Sequence, residues 1–257
     1  MSPTAVARSL GLKSILFATD FSDLSENTLP LTLGLARYYE AMLTFFHLVT
    51  PTPASVLPVG SHGLATLEPP LVDLNWPHRN AEHAMSSFLR QHNLQGLNCE
   101  VVIREGRLGA TAAAIVRERK ADLAVVASEG RKGFGKLLFG SAAEEIIRSV
   151  SCPVLTFGPG SARHLHAGFP INRVVCAVDF SPGSDAALRW GGLLAEDLGA
   201  DLVLVHVERE SSSQIPSYGY PTICKMQEAA GSGPRLDQEI ECALLHGSPA
   251  KEISRFV

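Results

Sequence analysis

Cysteine is scarce and scattered in this sequence of 257 residues. The five cysteines form no Cys-x-x-Cys pair and no dense cluster; they are Cys99, Cys152, Cys176, Cys224 and Cys242. Disulfide-rich secreted domains and cysteine-rich zinc modules need closely spaced cysteines, so neither class is supported. Reduced thiols are the simplest interpretation, and we expect a cytoplasmic protein.

Long apolar runs and an excess of basic charge are also missing. No apolar stretch reaches the roughly 18–20 residues that cross a membrane, and Arg8 and Lys13 interrupt the apolar residues near the N-terminus. The formal net charge is −4, from 22 basic and 26 acidic side chains. We therefore expect neither a membrane nor a nucleic acid as a partner. With 46% hydrophobic and 19% charged residues, the chain can bury a globular core.

Several well-known catalytic motifs are absent from the sequence as well. It contains no Gly-x-Gly-x-x-Gly fingerprint, no Gly-x-Ser-x-Gly elbow and no His-Glu-x-x-His metal motif. The glycines from Gly135 to Gly140 lack the following lysine of a P-loop, and His164 with His166 is too little for a metal site. Hydrolase and metalloenzyme functions therefore have no residues to support them.

What the sequence does contain is an internal repeat. Residues 13–49 align without a gap with residues 172–208. The matched pairs include Asp20 with Asp179, Phe21 with Phe180, Ser22 with Ser181, and His47 with His206. Repetition at fixed spacing indicates a duplicated domain.

Each copy opens with a strand, a helix and a second strand. The unbroken apolar runs 15–19 and 174–178 are typical of strands that are buried on both faces of a parallel sheet. Ser25 and Ser184 are predicted as helix N-caps, ahead of leucines and alanines at helical spacing. A second apolar run with a histidine follows, so each copy begins as a βαβ unit with parallel strands.

The first copy continues beyond a segment rich in proline and glycine at 51–77. The pattern there predicts helices at 78–92, 109–119 and 141–149, and strands at 99–103, 122–127 and 153–157. Five strands alternating with four helices predict an α/β fold with a doubly wound, five-stranded parallel sheet. We expect a complete domain over residues 1–157, a linker over 158–171 and a truncated second copy over 172–257.

Ligands of such sheets bind at the carboxyl ends of the strands. Asp20 ends the first predicted strand, His47 lies near the end of the second, and a glycine-rich loop runs from Ala127 to Ser141. Glycines let backbone N–H groups approach an anion, and a helix beginning at Ser141 offers unpaired N–H donors and a positive dipole end. The loop is therefore predicted to bind phosphate.

This loop resembles the nucleotide-binding signature of the universal stress protein family, which is Gly-x-x-Gly, nine residues, then Gly-Ser or Gly-Thr. Cys152-Pro153-Val154 resembles the motif that opens the last strand of that family. The resemblance spans residues 13–157 and the matching part of the second copy. It implies an adenine nucleotide alpha hydrolase-like fold and an adenine nucleotide ligand, ATP, with the use of magnesium left open.

The resemblance also implies roles for individual residues. Asp20 would approach the ribose, and the backbone at His47 and Leu48 would border the adenine. The remaining site residues lie on the loop and the helix after it; they are Ala127, Ser128, Gly130, Gly140, Ser141 and Ala142. Ala127 departs from the signature, which has a glycine at that position, and this puts nucleotide binding in question while leaving the fold untouched.

Structural interpretations stand beside these roles. Asp20 can simply cap the turn after a strand, His47 can be a packed histidine, and Arg131, Lys132 and Lys136 can be solvated loop charges. Two functions therefore remain open. One is an ATP-binding stress or regulatory module with at most slow hydrolysis. The other is an interaction protein of the same family that binds no nucleotide and dimerises through a sheet edge.

The second copy stops within the helix that corresponds to residues 109–119. It therefore contains no counterpart of the glycine-rich loop or of the strands on either side of it. We expect at most one nucleotide per chain, bound in the first copy. We also expect an apolar edge along residues 174–178, which a soluble protein must cover.

Overall fold

The computed structural model describes residues 10–49, 75–128, 140–157, 171–208, 220–231 and 240–257. These form two compact units, the first mainly between Leu12 and Phe157 and the second mainly between Ile171 and Val257. The predictions for Gly130, for the rest of the loop at 129–139 and for the linker at 158–170 lie outside the described residues. None of the described helices is long and apolar enough to cross a membrane.

The first unit alternates strands and helices along the chain. Its elements are β1 (Ser14–Ala18), α1 (Asp23–Tyr39), β2 (Met42–Val49), α2 (Trp76–Arg90), β3 (Cys99–Glu105), α3 (Leu108–Arg119), β4 (Leu123–Ala127), α4 (Ser141–Ser149) and β5 (Val154–Phe157). The strands are all parallel and lie in the order β3-β2-β1-β4-β5. The predicted doubly wound sheet is confirmed, and its winding direction changes between β1 and β4.

The central strand β1 is buried along its whole length, and β2 and β4 pair with its two edges in the sheet. Phe17 is fully buried and pairs with Phe45 of β2 and Val125 of β4. The rings of Phe17 and Phe45 meet edge to face, with 5.9 Å between their centroids. Burying a side chain of this size contributes roughly 1.5–3 kcal/mol, which explains why the first apolar run of the sequence becomes the middle of the core.

The start of α1 differs from the prediction. The N-cap is Ser22, whose hydroxyl accepts a hydrogen bond from the Ser25 amide at 3.3 Å, and Ser181 caps the corresponding helix of the second copy in the same way. The prediction of Ser25 and Ser184 as caps is therefore wrong. The helix begins three residues earlier because the chain already leaves the strand conformation at Phe21, where φ is 62°.

The second unit repeats the first half of this arrangement. Its elements are β6 (Arg173–Ala177), α5 (Pro182–Leu198), β7 (Asp201–Glu208), α6 (Tyr220–Gly231), β8 (Glu241–His246) and α7 (Pro249–Phe256). The three strands are parallel and lie in the order β6-β7-β8, which corresponds to β1-β2-β3. This unit has a core of its own, in which Leu204, Ala195 and Met226 are fully buried.

The position of β6 differs from that of β1, although their sequences match. Among the described residues, β6 is paired on one side alone, by β7. Val174 and Val175 of β6 are half-buried, whereas their counterparts Ile15 and Leu16 in β1 are at most 1% exposed. The exposure follows from the sheet order, since no described strand takes the place beside β6 that β4 takes beside β1.

Candidate functional site

A cleft of about 220 Å³ lies at the carboxyl ends of β1, β2 and β4 in the first unit. Its walls are apolar and come from both strands and helices; they include Ala18, Phe46, Leu48, Leu108, Val126, Ala127, Ala142 and Ile146. Polar groups gather along the β1 side, from Thr19, Asp20, Ser22, Ser25 and His47. The cleft therefore offers an apolar slot with hydrogen-bonding groups on one side, at the switch point where open α/β sheets bind ligands.

The Asp20 carboxylate is held by serine residues through one of its oxygens. Oδ1 accepts hydrogen bonds from the Ser22 amide at 3.0 Å, the Ser22 hydroxyl at 2.6 Å and the Ser25 hydroxyl at 2.7 Å. No described residue donates to Oδ2. Because Oδ1 already has three donors, Oδ2 is the oxygen that would accept a hydrogen bond from a ligand.

The charge of Asp20 is set by the balance of two effects. Desolvation by the surrounding protein raises the pKa of the carboxyl, but the hydrogen bonds from Ser22 and Ser25 together bring this pKa below its ordinary value. Asp20 is therefore ionised at neutral pH and well into the acid range. An ionised carboxylate accepts hydrogen bonds and repels anions, so this side of the cleft suits hydroxyl groups and not phosphates.

The turn that carries Asp20 is fixed by contacts on both sides of it. Thr19 is buried, its N–H donates to the Phe46 carbonyl oxygen at 2.9 Å, and its hydroxyl accepts from the Phe21 amide at 3.0 Å. Phe21 has a left-handed backbone with φ of 62°, which is unfavourable for a residue with a Cβ atom. The surrounding contacts therefore have to compensate for this conformation.

His47 lies against the same turn. Its Nδ1 atom is 2.9 Å from the Thr19 carbonyl oxygen, and its ring stacks on Phe21 at 4.3 Å between centroids. A carbonyl oxygen can only accept, so Nδ1 carries the proton. The histidine therefore has one determined tautomer when neutral, with the lone pair on Nε2.

The other side of the cleft is formed by β4 and α4. Ala127 is the last residue of β4 and pairs with Phe157 in regular register, so alanine causes no left-handed strain there. Gly140 caps α4, and within the described part of the chain no side chain hydrogen-bonds to the first turn of this helix. Ser141 and Ala142 are exposed at that turn. The amides of a first helical turn have no intrahelical partners, so α4 presents free donors and its positive dipole end.

The neighbouring helix α3 begins at the same end of the sheet, but an amide of its first turn is already hydrogen-bonded. The Gly109 amide in its first turn donates to Glu145 Oε1 at 2.8 Å. Glu145 belongs to α4, so one carboxylate both caps α3 and ties the two helices together. One amide of the first turn of α3 is therefore already hydrogen-bonded to a carboxylate and is not available to an anion.

The predicted site residues do not all meet in the cleft. Asp20, His47, Leu48, Ala127 and Ala142 line it, and Gly140 and Ser141 lie beside Ala142 at the start of α4. Ser128 is 6% exposed, donates its amide to the Phe157 carbonyl oxygen and is not among the described residues of the lining. Gly130 lies outside the described residues.

Sequence reasoning missed several residues of this site. Thr19, Ser22, Leu108 and Ile146 line the cleft without having been predicted, and Ser25 was assigned to a helix cap. The two serines were detectable, because Ser22 and Ser25 recur as Ser181 and Ser184 in the second copy. The contributions of Leu108 and Ile146 depend on how α3 and α4 pack, and no local pattern signals them.

A second cleft lies at the matching position of the second unit. It has a volume of about 410 Å³ and includes Asp179, Ser181, Ser184 and His206. The Asp179 carboxylate accepts from the Ser181 amide at 3.0 Å, and its hydrogen bonds with Ser181 lower its pKa as well. This cleft has no wall like that of β4 and α4 among the described residues.

Comparison with known proteins gives a consistent result. The model of the universal stress protein family matches residues 11–157 and 170–257. A universal stress protein of Methanocaldococcus jannaschii is 26% identical over 143 residues, 56% of this chain and 80% of that protein. A universal stress protein of Mycolicibacterium smegmatis is 27% identical over 199 residues, 75% of this chain and 63% of that protein.

A solved structure extends the likeness to the whole fold. The crystal structure of a universal stress protein from Archaeoglobus fulgidus superposes with a TM-score of 0.66 at 19% identity, covering 93% of this chain and 80% of that chain. Its sequence identity is low, so the structural match shows the shared fold alone. The family match over both units, together with this fold, shows that the chain belongs to the universal stress protein family.

Proposed function

We propose that the first unit binds an adenine nucleotide, with ATP as the ligand, in the cleft between Asp20 and the start of α4. The observation that supports this most is the opposite chemistry of the two sides. Asp20 offers an ionised acceptor, and Gly140, Ser141 and Ala142 offer uncapped amide donors. A nucleotide carries matching groups, since the ribose hydroxyls donate hydrogen bonds and the phosphates accept them.

The proposed orientation follows from this pairing. The ribose lies at Asp20 Oδ2, the phosphates lie at the first turn of α4, and the base lies along the apolar wall beside Leu48 and the backbone at His47. The preference for adenine rests on the resemblance of the loop at 127–141 to the family signature. We assign this nucleotide domain to residues 1–157, with 158–171 as linker and 172–257 as the second copy.

We propose binding with regulatory use of the nucleotide and at most slow hydrolysis. Asp20 is the carboxylate that the described residues place on the cleft rim, and its lowered pKa makes it a weak base. In this proposal the protein binds nucleotide according to its supply, and the bound state changes the self-association of the protein. We expect the protein in the cytoplasm.

The alternative is an interaction protein of the same family that binds no nucleotide. The Ala127 methyl group supports it, because it lies on the cleft wall where the family signature has no side chain. The regular strand backbone at Ala127 argues against a severe effect.

Calorimetric titration of the full chain with ATP, with and without Mg²⁺, separates the two functions. We expect saturable binding that Gly140→Val abolishes, because a β-branched side chain at the helix cap blocks the approach of phosphate to the amides. Ala127→Gly is expected to bind at least as well as the unchanged chain.

Absence of ATP binding by both the unchanged chain and Ala127→Gly would reject the nucleotide function. Binding by Ala127→Gly alone would assign the loss to the methyl group and favour the interaction protein. Unchanged binding by Gly140→Val, with its fold intact by circular dichroism, would show that the phosphates bind elsewhere.

A further inference from the structure

We propose that His47 is a positioning residue for Asp20, holding the turn of Thr19, Asp20 and Phe21 so that the carboxylate faces the cleft. His47 contacts both sequence neighbours of Asp20. Its Nδ1–H donates to the Thr19 carbonyl oxygen at 2.9 Å, and its ring stacks on Phe21 at 4.3 Å with 30° between the ring planes. Asp20 lies between the two residues that the imidazole holds.

The backbone of the turn explains why such support is needed. Phe21 has φ of 62°, a conformation that glycine adopts easily and phenylalanine does not. The stack on His47 and the hydrogen bond from the Phe21 amide to the Thr19 hydroxyl favour this conformation. The ring of Phe88 from α2 adds an edge contact to Phe21 at 5.8 Å. With Phe21 in this conformation, the Ser22 amide and hydroxyl lie within reach of Asp20 Oδ1.

The second copy shows the same arrangement independently. His206 Nδ1 lies 2.7 Å from the Val178 carbonyl oxygen, and its ring lies 4.8 Å from that of Phe180, whose φ is 60°. Val178 stands where the first copy has Thr19 and lacks the hydroxyl that accepts from the Phe21 amide. Both turns therefore share the histidine contacts as well as the serine amide bond to the aspartate, and the histidine contacts accompany the left-handed phenylalanine in each unit.

The duplication supplies a matched control. His206 contacts an equivalent turn, and residues 172–257 contain no counterpart of the glycine-rich loop. Replacing His206 should change the pKa of Asp179 and leave the pKa of Asp20 and the first cleft unchanged. Replacing His47 should change the pKa of Asp20 and leave that of Asp179 unchanged.

The first test needs no ligand. In the full chain, the Asp20 carboxyl is titrated by carbon-13 NMR in the unchanged protein and in His47→Ala, His47→Asn and His206→Ala. We expect His47→Ala to move the pKa of Asp20 back toward its ordinary value. His47→Asn should keep most of the lowered pKa, because the asparagine amide can replace the Nδ1–H donor. His206→Ala should leave the Asp20 titration unchanged.

The second test is ATP affinity, and this part rests on the proposed function. We expect His47→Ala to bind ATP about fivefold to tenfold more weakly, which corresponds to the loss of one neutral hydrogen bond. His47→Asn should recover most of this loss, and His206→Ala should bind like the unchanged chain. All affinities are measured well below the melting temperature of each variant.

Several outcomes would overturn the proposal. An Asp20 titration that is unchanged in His47→Ala would show that the turn does not depend on His47. Loss of ATP affinity in His47→Asn with an unchanged Asp20 titration would show that the ring contacts the ligand directly. If His47→Ala does not fold, nitrogen-15 NMR of the unchanged chain decides, because the Nε2–H tautomer of His47 would contradict the bond to Thr19. Absence of ATP binding by the unchanged chain would reject the proposed function and leave the Asp20 titration as the deciding result.

Discussion

At the scale of single residues, replacing Asp20 by asparagine tests the ligand contact while keeping the hydrogen bonds of the turn. Asp20→Asn keeps one oxygen that can accept hydrogen bonds from Ser22 and Ser25. It replaces the other oxygen by an NH₂ group, which cannot accept a hydrogen bond from a ribose hydroxyl. We expect ATP affinity to fall about tenfold to hundredfold, because a hydrogen bond to a charged group contributes roughly 1.5–3 kcal/mol. Calorimetry measures the affinity, and thermal melting checks that the fold persists.

The matched variant in the second copy is Asp179→Asn. It changes the same kind of turn in the unit without the loop, so it should leave ATP affinity unchanged. Equal affinity of Asp20→Asn and the unchanged chain would mean that Asp20 does not accept a hydrogen bond from the ligand.

At the scale of elements, the contact between α3 and α4 determines where the start of α4 lies. A Cβ atom on Gly109 would meet the Ser149 hydroxyl oxygen at 2.3 Å and Glu145 Cγ at 2.9 Å. Gly109→Ala should therefore push α4 away from α3 and lower stability by about 1–3 kcal/mol, as overpacking does. Urea denaturation measures the loss, and ATP affinity should fall with it because α4 carries the proposed phosphate site.

The double variant Gly109→Ala with Ser149→Ala provides the control. Removing the Ser149 hydroxyl relieves the shortest contact, so the double variant should regain part of the stability, while Ser149→Ala alone should change little. Ala250 occupies the position of Gly109 in α7 of the second copy, where the described residues include no helix like α4. Full stability of Gly109→Ala would contradict the close packing of α3 on α4.

The elements also show which structural features local sequence patterns can predict. The strands and helices of the first unit follow the prediction within about two residues, and α4 begins and ends as predicted, at Ser141 and Ser149. The predicted start of α1 is wrong because the true start depends on the backbone at Phe21. The ring of Phe21 is in contact with His47, which lies in β2. The capping of Gly109 by Glu145 joins residues on different helices, and no periodicity indicates it.

At the scale of the whole molecule, the two units differ in the groups that they offer to a ligand. Asp179 and His206 repeat the Asp20 side of the cleft, but residues 172–257 contain no counterpart of the loop at 127–141. We expect the 257-residue chain to bind one ATP. Contacts from Asp179 to the ribose hydroxyls are too weak to hold a nucleotide when no amide donors bind its phosphates. Titration calorimetry gives the stoichiometry.

Gly140→Val serves as the control for this count. It should remove all binding if the first unit holds the single site. Two ATP molecules per chain, or one remaining molecule in Gly140→Val, would show that the second cleft binds nucleotide without a loop of this kind.

The sequence by itself determined the repeat, the alternation of strands and helices, and therefore the end of the sheet at which the candidate site lies. These properties depend on apolar runs, helical spacing and turn residues, which act over a few neighbouring positions. Tertiary structure decided which Asp20 oxygen remains available, which nitrogen of His47 carries the proton, and why β6 is exposed where β1 is buried. Each of these depends on atoms that the fold brings together from distant parts of the chain, as with Thr19 and His47 or β1 and β4. A sequence pattern therefore places these groups on the right edge of the sheet, and three-dimensional packing sets their contacts.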